Sequence, residues 1–193
     1  MKSVLISIRP KWCELIASGE KTIEVRKTRP KIETPFKCYI YCTQSGKYTD
    51  GKSVKNIWLN RGTDKRFIGN GKVIGEFVCD RIYPIQAVRY DNGSFEHSQK
   101  SIFTFLRPAE HNALLDATRL ENEEIFDYLG GEGKEGYAWH ISELKIYDKP
   151  RELSEFFTAD KEAIRHCENR VQSYYAFTDT GYIKNGFLCT VKD

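Results

Sequence analysis

Residues 18–29, SGEKTIEVRKTR, combine a glycine turn, a short strand pattern and alternating charge. The two-residue period of a strand divides residues 21–27 into two faces. One face is apolar and the other polar: Ile23 and Val25 against Thr22, Glu24 and Arg26. The apolar face is predicted to join the core, and the polar face to carry chemistry or to meet solvent. The rest of the chain is interpreted as a scaffold around this strand.

Gly19 is predicted to end a helix, because only glycine enters the left-handed C-cap conformation without a Cβ penalty. The helix is predicted over residues 10–18, with Pro10 in its first turn. Trp12 and Ile16 recur on one side of it at helical spacing, which favours packing on a sheet. A β-rich run at residues 3–8 precedes the helix, so the predicted opening order is strand, helix, turn, strand.

Length and composition favour one globular domain with a single core. The chain has 193 residues, of which 40% are hydrophobic and 30% charged, and its pI is about 8.4. Its apolar runs are too short to cross a bilayer, and Arg9 and Lys11 interrupt the N-terminal apolar run before it resembles a signal peptide. We therefore expect a cytoplasmic protein without membrane association. A net charge of +3 allows an anionic partner without requiring one.

The cysteines are predicted to be free thiols, because a cytoplasmic compartment is reducing and no pair has the Cys-x-x-Cys spacing of zinc sites. They are Cys13, Cys38, Cys42, Cys79, Cys167 and Cys189. No metal and no cofactor is expected.

The remaining elements are predicted from local pattern. Strands are expected at 36–43, 72–82 and 137–147, a helix at 119–129, and two aromatic strand-like pieces within 173–191. Residues 83–112 are interpreted as irregular because Pro84 and Pro108 interrupt them. Residues 44–71 are lysine-rich and are interpreted as a surface excursion that holds a short helix or a hairpin. This excursion either keeps the chain soluble or clamps phosphates beside a cleft.

Three motifs together resemble the ASCH domain, a PUA-like β-barrel family. They are the strand Gly19-x-Lys21-x-x-Glu24-x-Arg26, the pair Gly75-Glu76, and the run Tyr137-Ala-Trp-His-Ile-Ser142 followed by Lys149-Pro150. The last motif resembles small ASCH proteins of bacteria and their phages. The resemblance implies an α+β fold: a small, mostly antiparallel PUA-like β-barrel with peripheral helices. We expect one domain over 1–193, with an insertion at 44–71 and a less family-like extension at 165–193.

The resemblance also implies a function, since ASCH members are similar to RNA-associated domains. They are thought to bind RNA or nucleotides in a cleft beside the glycine-turn strand. In this sequence Lys21 and Arg26 are the expected contacts to an anion or carbonyl, and Glu24 and Glu76 the expected acceptors. The full set of expected ligand contacts is Arg9, Lys21, Thr22, Glu24, Arg26, Glu76, Tyr137 and Trp139.

One branch of the family gives an enzymatic alternative. The bacterial N4-acetylcytidine amidohydrolases use a lysine, a threonine and a glutamate, which fall here on Lys21, Glu24 and Glu76. A carboxylate at the threonine position cannot act as a hydroxyl nucleophile, which favours binding over catalysis. The alternatives are a nucleoside amidohydrolase or a ribonuclease that uses Lys21, Glu24 and Glu76, and a protein-interaction module with a vestigial cleft.

Each residue with a proposed functional role also has a purely structural interpretation. Lys21, Glu24 and Arg26 are also consistent with a solvated strand edge whose charges discourage aggregation. Trp12 is interpreted as a core residue, Trp139 and Tyr137 as core or as stacking surfaces for a base, and His140 as a structural histidine.

Three expectations about the structure follow from the functional interpretation. Lys21, Glu24, Arg26 and Glu76 converge, with Glu76 paired to Lys21 or Arg26. Lys21→Ala leaves folding nearly intact. A lysine with a lowered pKa beside the carboxylates favours an enzyme, whereas a shallow basic groove that continues into residues 44–71 favours binding.

Overall fold

The computed structural model describes residues 3–30, 32–44, 58–60, 66–90, 99–155, 174–177, 182–184 and 187–189. The strands are β1 (Ser3–Ile8), β2 (Ile23–Arg26), β3 (Phe36–Cys42), β4 (Trp58–Asn60), β5 (Arg66–Ile68), β6 (Lys72–Cys79), β7 (Ile82–Tyr90), β8 (Gln99–Thr104), β9 (Glu135–His140), β10 (Ser142–Glu152), β11 (Tyr174–Phe177), β12 (Tyr182–Lys184) and β13 (Phe187–Cys189). The helices are α1 (Pro10–Ala17), α2 (Pro108–Thr118) and α3 (Asn122–Leu129), and a 3-10 turn follows at Leu153–Glu155. None of the described helices is long and apolar enough to span a membrane.

The predicted opening order of strand, helix, turn and strand is confirmed. Pro10 lies at the start of α1, where its missing N–H costs no hydrogen bond. Gly19 has a φ of 81°, the left-handed conformation that ends the helix, and its N–H donates to the Ile16 carbonyl at 2.9 Å. This corner delivers the chain into β2.

Two sheets carry most of the described strands. The first has the order β10-β6-β3-β1-β11, in which only β1 and β3 run parallel. The second has the order β2-β9-β7-β8 and is antiparallel throughout. Two short antiparallel hairpins join β4 to β5 and β12 to β13. The mixed α+β class and the mostly antiparallel pairing agree with the prediction, and β4–β5 is a hairpin within the lysine-rich excursion.

The predicted closed barrel is wrong, because the two large sheets of the described chain do not join into one ladder. Strand β1 pairs with β3 along one edge and with β11 along the other, over Ser3 to Ile6. Strand β2 pairs with β9 alone among the described strands. The outer edge of β1 is therefore occupied by β11, and no backbone ladder connects β1 to β2.

Two of the predicted single strands are each two strands that belong to different sheets. The predicted strand 72–82 breaks at Asp80 and Arg81, between β6 and β7. The predicted strand 137–147 breaks at Ile141, between β9 and β10. Local alternation continues through both corners, so the sequence pattern does not reveal where a strand leaves one sheet and enters the other.

The interpretation of residues 83–112 as irregular is wrong for 83–90 and 99–112, and residues 91–98 lie outside the described residues. The described part contains most of β7, all of β8 and the start of α2. Pro84 is tolerated in β7 because the ladder to β8 begins only at the next residue, Ile85. Pro108 is the first residue of α2, and the backbone N–H of Arg107 before it donates to the Glu110 carboxylate in the first turn at 3.3 Å.

The core has two parts. The first lies against the five-stranded sheet and α1 and includes Ile6, Phe77 and Trp139, each at most 1% exposed. The second lies between the four-stranded sheet and helices α2 and α3, and includes Ile23 and Phe126. The described cysteines with side-chain data are free and buried: Cys13, Cys38, Cys42 and Cys79.

We predict that Gly75→Ala destabilises the fold by about 2–3 kcal/mol, the cost of overpacking a tight site. An added Cβ would lie 2.5 Å from the Lys145 carbonyl oxygen and 2.9 Å from Ile146 Cα, and backbone atoms cannot rotate away. Urea unfolding measures the change. The control is Gly131→Ala, which meets no atom within 4 Å and adds only the strain of its φ of 100°. Equal losses in the two variants would contradict the close β6–β10 approach.

Candidate functional site

A cavity of about 180 Å³ lies along the free edge of β2. Its walls come from the end of β1, from α1, from β2 and from the α2–α3 region. The lining residues are Ser7, Ile8, Arg9, Trp12, Lys21, Glu24, Val25, Arg26, Leu120, Glu124 and Tyr128. The cavity therefore lies between β1 and β2, which do not pair with each other.

Lys21 is anchored in the wall of this cavity. It is only 1% exposed, and its Nζ donates to the Thr118 carbonyl at 2.6 Å. That carbonyl is the last of α2, where a cation is favoured by the helix dipole. The next residue, Thr22, donates its backbone N–H to the Ala117 carbonyl at 3.1 Å. The start of β2 is thus fixed to the C-terminus of α2.

Glu24 lies between two cations. Its Oε2 is 3.6 Å from Lys21 Nζ, and its Oε1 is 3.3 Å from Arg26 Nε. All three residues are at least nine-tenths buried, with exposures of 1%, 6% and 3% for Lys21, Glu24 and Arg26. The competing interpretation of a solvated strand edge is therefore excluded.

Arg26 bridges the two sheets. Its Nη2 donates to the backbone carbonyl of Ser7 at 2.5 Å. Because the Ile8 carbonyl bonds Thr43 on the β3 side, the neighbouring Ser7 carbonyl points to the opposite edge of β1. Arg26 Nε is buried at ion-pair distance from Glu24, but its N–H has no hydrogen-bond partner of acceptable geometry. The buried hydroxyl of Ser7 also has no partner among the described residues.

Burial is the largest influence on the titration of this site. It lowers the pKa of Lys21, while the neighbouring Glu24 carboxylate acts in the opposite direction. It raises the pKa of Tyr128, and Arg26 acts against that rise. The site thus combines a lysine that is easier to deprotonate than usual with a tyrosine that is harder to deprotonate.

Two aromatic side chains, Trp12 and Tyr128, line the cavity. The Trp12 ring lies 5.3 Å from Lys21 Nζ and 4.3 Å from Lys11 Nζ, both within the range of cation–π contact. Trp12 is partly buried against the first core. Its interpretation as a core residue was therefore incomplete, because it packs on the core and also forms part of the cavity wall.

Four of the eight expected contact residues line the cavity: Arg9, Lys21, Glu24 and Arg26. Thr22 lines a different cavity, on the α2 side of β2. The lining residues that sequence reasoning missed are Ser7, Ile8, Leu120, Glu124 and Tyr128. Leu120 lies within the helix predicted at 119–129, and no local pattern indicates that this segment meets β2.

The expected pairing of Glu76 with Lys21 or Arg26 is wrong. Glu76 lies on β6 in the five-stranded sheet, where its carboxylate accepts from Lys37 Nζ at 3.1 Å and from the Tyr147 hydroxyl at 2.7 Å. Burial acts to raise the pKa of Glu76, but these two hydrogen bonds outweigh it and lower the pKa. The alternation of β6 showed that Glu76 is polar among apolar residues, but it did not show which sheet face or partner it would meet.

Trp139 is not available as a stacking surface. It is fully buried and packs edge to face on Phe36, with ring centroids 5.6 Å apart. Tyr137 is half-buried against the same core and does not line the cavity. His140 has the structural partner that was predicted for it, since Nδ1 lies 2.6 Å from Asp80 Oδ1.

The described residues hold no group of three or more His, Cys, Asp or Glu side chains that could bind a metal ion. Lys21, Arg26 and Glu24 instead supply hydrogen-bond donors and one acceptor.

Residues 6–79 match the family model of the ASCH domain. This segment, 74 of the 193 residues, is similar to ASCH domains. The match includes Ser7, Lys21, Glu24 and Arg26, whereas Tyr128 and the rest of the α3 wall lie outside it. The resemblance drawn from the glycine-turn strand is therefore confirmed.

Solved structures of an ASCH protein from Zymomonas mobilis have a similar fold. The first is 17% identical with a TM-score of 0.52, and the match covers 95% of this chain and 89% of that one. Two single-substitution mutants of the same protein match at 17% identity with TM-scores of 0.50, covering 96% of this chain and 90% and 93% of theirs. No curated protein matches the sequence. At this identity the likeness concerns the fold alone.

We predict that Lys21→Met lowers the free energy of unfolding by about 2–3 kcal/mol, because the Thr118 carbonyl and the buried Glu24 each lose a partner. This corrects the expectation that replacing Lys21 leaves folding nearly intact. The measurement is urea unfolding at pH 7. The control, Lys37→Met, removes a half-exposed ion pair with Glu76 and should cost less than about 1 kcal/mol. If both variants lose the same stability, the structural role assigned to Lys21 is wrong.

The lowered pKa of Lys21 also predicts a pH dependence. Between the folded-state pKa and the ordinary value of 10.5, the unfolded chain binds more protons than the folded one. The contribution of Lys21 to stability should therefore rise as pH increases through that window. The measurement is the unfolding free energy of the native protein minus that of Lys21→Met, at several pH values from neutral upward. A difference that falls with pH would contradict the lowered pKa.

Proposed function

We propose that the chain binds RNA or a nucleotide-like ligand in the cytoplasm, with one base held in the cavity beside β2. Lys21 and Arg26 donate hydrogen bonds to it and Glu24 accepts. The observation that carries this proposal is the buried Lys21–Glu24–Arg26 cluster with an unpartnered Arg26 N–H on a cavity. A buried donor without a partner is costly, and a ligand acceptor would relieve that cost.

The volume of the cavity supports a ligand group of about one ring. Sites that enclose drug-sized ligands usually measure about 300–1,000 Å³. This cavity, at about 180 Å³, is smaller and admits a base-sized group, while ribose and phosphate remain outside. Arg9 lies on the lining and is exposed, so it is placed to contact a group at the mouth.

The chemistry of the lining supports recognition of a base edge. A base edge presents hydrogen-bond acceptors and donors side by side, which arginine or lysine and glutamate can pair with respectively. Lys21 and Arg26 provide the donors and Glu24 provides the acceptor. Trp12 and Tyr128 supply flat surfaces, and stacking of a base on an aromatic ring contributes about 1–3 kcal/mol.

The charge of the site favours a weakly anionic ligand. Three cations and two anions line the cavity, a formal excess of one positive charge: Arg9, Lys21 and Arg26 against Glu24 and Glu124. Phosphate clamping by the lysine-rich excursion stays a prediction, since residues 45–57 and 61–65 lie outside the described residues.

We predict that Arg26→Lys weakens ligand binding by about 10- to 100-fold, the value of one or two charge-assisted hydrogen bonds. Lysine keeps the charge but loses the planar fork and the Nε donor. The measurement is titration with cytidine, uridine, adenosine, guanosine and a short single-stranded RNA, followed by NMR or calorimetry. Trp12→Leu should weaken the same ligands through lost stacking.

The control for this titration is Lys37→Met, which changes a cation outside the cavity. It should leave the dissociation constants unchanged. Equal weakening by Lys37→Met, or the absence of binding of all five ligands to the native protein, would contradict the proposal.

A second candidate is a hydrolase that acts on a modified nucleoside, and the lowered pKa of Lys21 beside Glu24 favours it. Neutral Lys21 would take a proton from water, and the resulting hydroxide would attack the acyl carbon. Arg26 would stabilise the oxyanion. The C–N bond then breaks, and the leaving nitrogen takes the proton back from Lys21. Glu76 has no place in this scheme, because it bonds to Lys37 and Tyr147 outside the cavity.

The two candidates are separated by incubating the protein with N4-acetylcytidine and with an RNA pool. The binding proposal expects retention of ligand without release of acetate or cleavage of RNA. Deacetylation or RNA cleavage by the native protein at an enzymatic rate, lost in Lys21→Met, would favour the hydrolase instead.

A further inference from the structure

A second cavity, of about 430 Å³, lies on the α2 side of β2. Its floor is apolar and includes Ile23 and Leu114, which belong to the second core. Its rim is polar and includes Arg81 and His140, at the corner where the chain passes between the two sheets. This volume lies within the range of about 300–1,000 Å³ that is typical of small-molecule sites.

His140 is held in a defined orientation at this cavity. Nδ1 lies 2.6 Å from Asp80 Oδ1. Burial acts to raise the pKa of Asp80, but the hydrogen bond and charge of His140, a backbone hydrogen bond and the charge of Arg81 together lower it. An ionised carboxylate only accepts hydrogen bonds, so Nδ1 of His140 carries the proton. In the neutral imidazole Nε2 is then an acceptor. Among the described residues, Nε2 has no hydrogen-bond partner.

We propose that this second cavity binds a small, flat aromatic molecule of about two fused rings that donates one hydrogen bond to His140 Nε2. The ring system packs on the apolar floor formed by Ile23, Leu114 and Ala117. The volume, which is more than twice that of the first cavity, favours a bicyclic over a monocyclic ligand. The oriented acceptor at His140 Nε2 favours a ligand with an N–H or O–H donor. This inference is independent of the proposed nucleotide site.

The experiment compares indole, which donates one N–H, with 1-methylindole, which has nearly the same shape and no donor. Each is titrated into the native protein and followed by NMR at the Leu114 and Ala117 methyl groups and at the His140 ring. Indole should saturate these signals, and 1-methylindole should bind about 10-fold more weakly, the value of one hydrogen bond. This comparison needs no variant.

Two substitutions test the location. Ala113 lines the cavity from an exposed position on α2, so Ala113→Phe should fill the space and abolish indole binding without unfolding the protein. His140→Phe should remove the preference for indole over 1-methylindole. The control is His111→Phe: His111 bonds to Thr104 at 3.0 Å and does not line the cavity, so this preference should be unchanged.

Equal affinity for the two probes would overturn the proposal. So would shifts that do not saturate, shifts centred on Trp12 and Tyr128 in the first cavity, or unchanged binding by folded Ala113→Phe. Thermal unfolding of each variant establishes that it is folded.

Discussion

A single buried carboxylate, Glu24, is the constraint on which the site depends. It forms ion pairs with both Lys21 and Arg26, which are almost completely buried. A buried charge without a partner is too costly to retain, so the three side chains are fixed relative to one another. Lys21 also donates a hydrogen bond to the last carbonyl of α2, and Arg26 donates one to a carbonyl of β1. The ionic cluster therefore connects three elements that share no backbone ladder.

The site exists because the two sheets remain open between β1 and β2. Strand β11 occupies the outer edge of β1 as far as Ile6, and Ser7 lies just beyond it. Arg26 reaches the Ser7 carbonyl with its side chain, where a closed barrel would have a backbone hydrogen bond. Because the Arg26 side chain is longer than a direct backbone hydrogen bond, it leaves a space between β1 and β2, and this space is the cavity. The polar face of β2 thus faces the cavity. Its charged residues are therefore buried from bulk solvent and still accessible to a ligand in the cavity.

Local sequence pattern predicted the features that depend on neighbouring residues. The Gly19 corner, the opening strand and helix, and the polar face of β2 follow from periodicity and capping. The surroundings of Glu76 and Trp139 depend on sheet topology: the expected pairing of Glu76 was wrong, and of the two alternatives for Trp139 the structure shows the core residue. The corners at Asp80 and Ile141 send strands into different sheets, and alternation continues unchanged through them. Pro84 and Pro108 suggested irregular structure because their role depends on their structural context: Pro84 lies just before the β7–β8 ladder, and Pro108 is the first residue of a helix.

Lys21 and Glu24 are expected to form one energetic unit at the edge of β2. A double-mutant cycle with Lys21→Met, Glu24→Gln and the combined variant measures their coupling directly by urea unfolding. We predict a coupling energy of about 1–3 kcal/mol, because each single change leaves a buried charge without one of its partners. Losses that add to within about 0.5 kcal/mol would contradict it, since independent residues behave in that way.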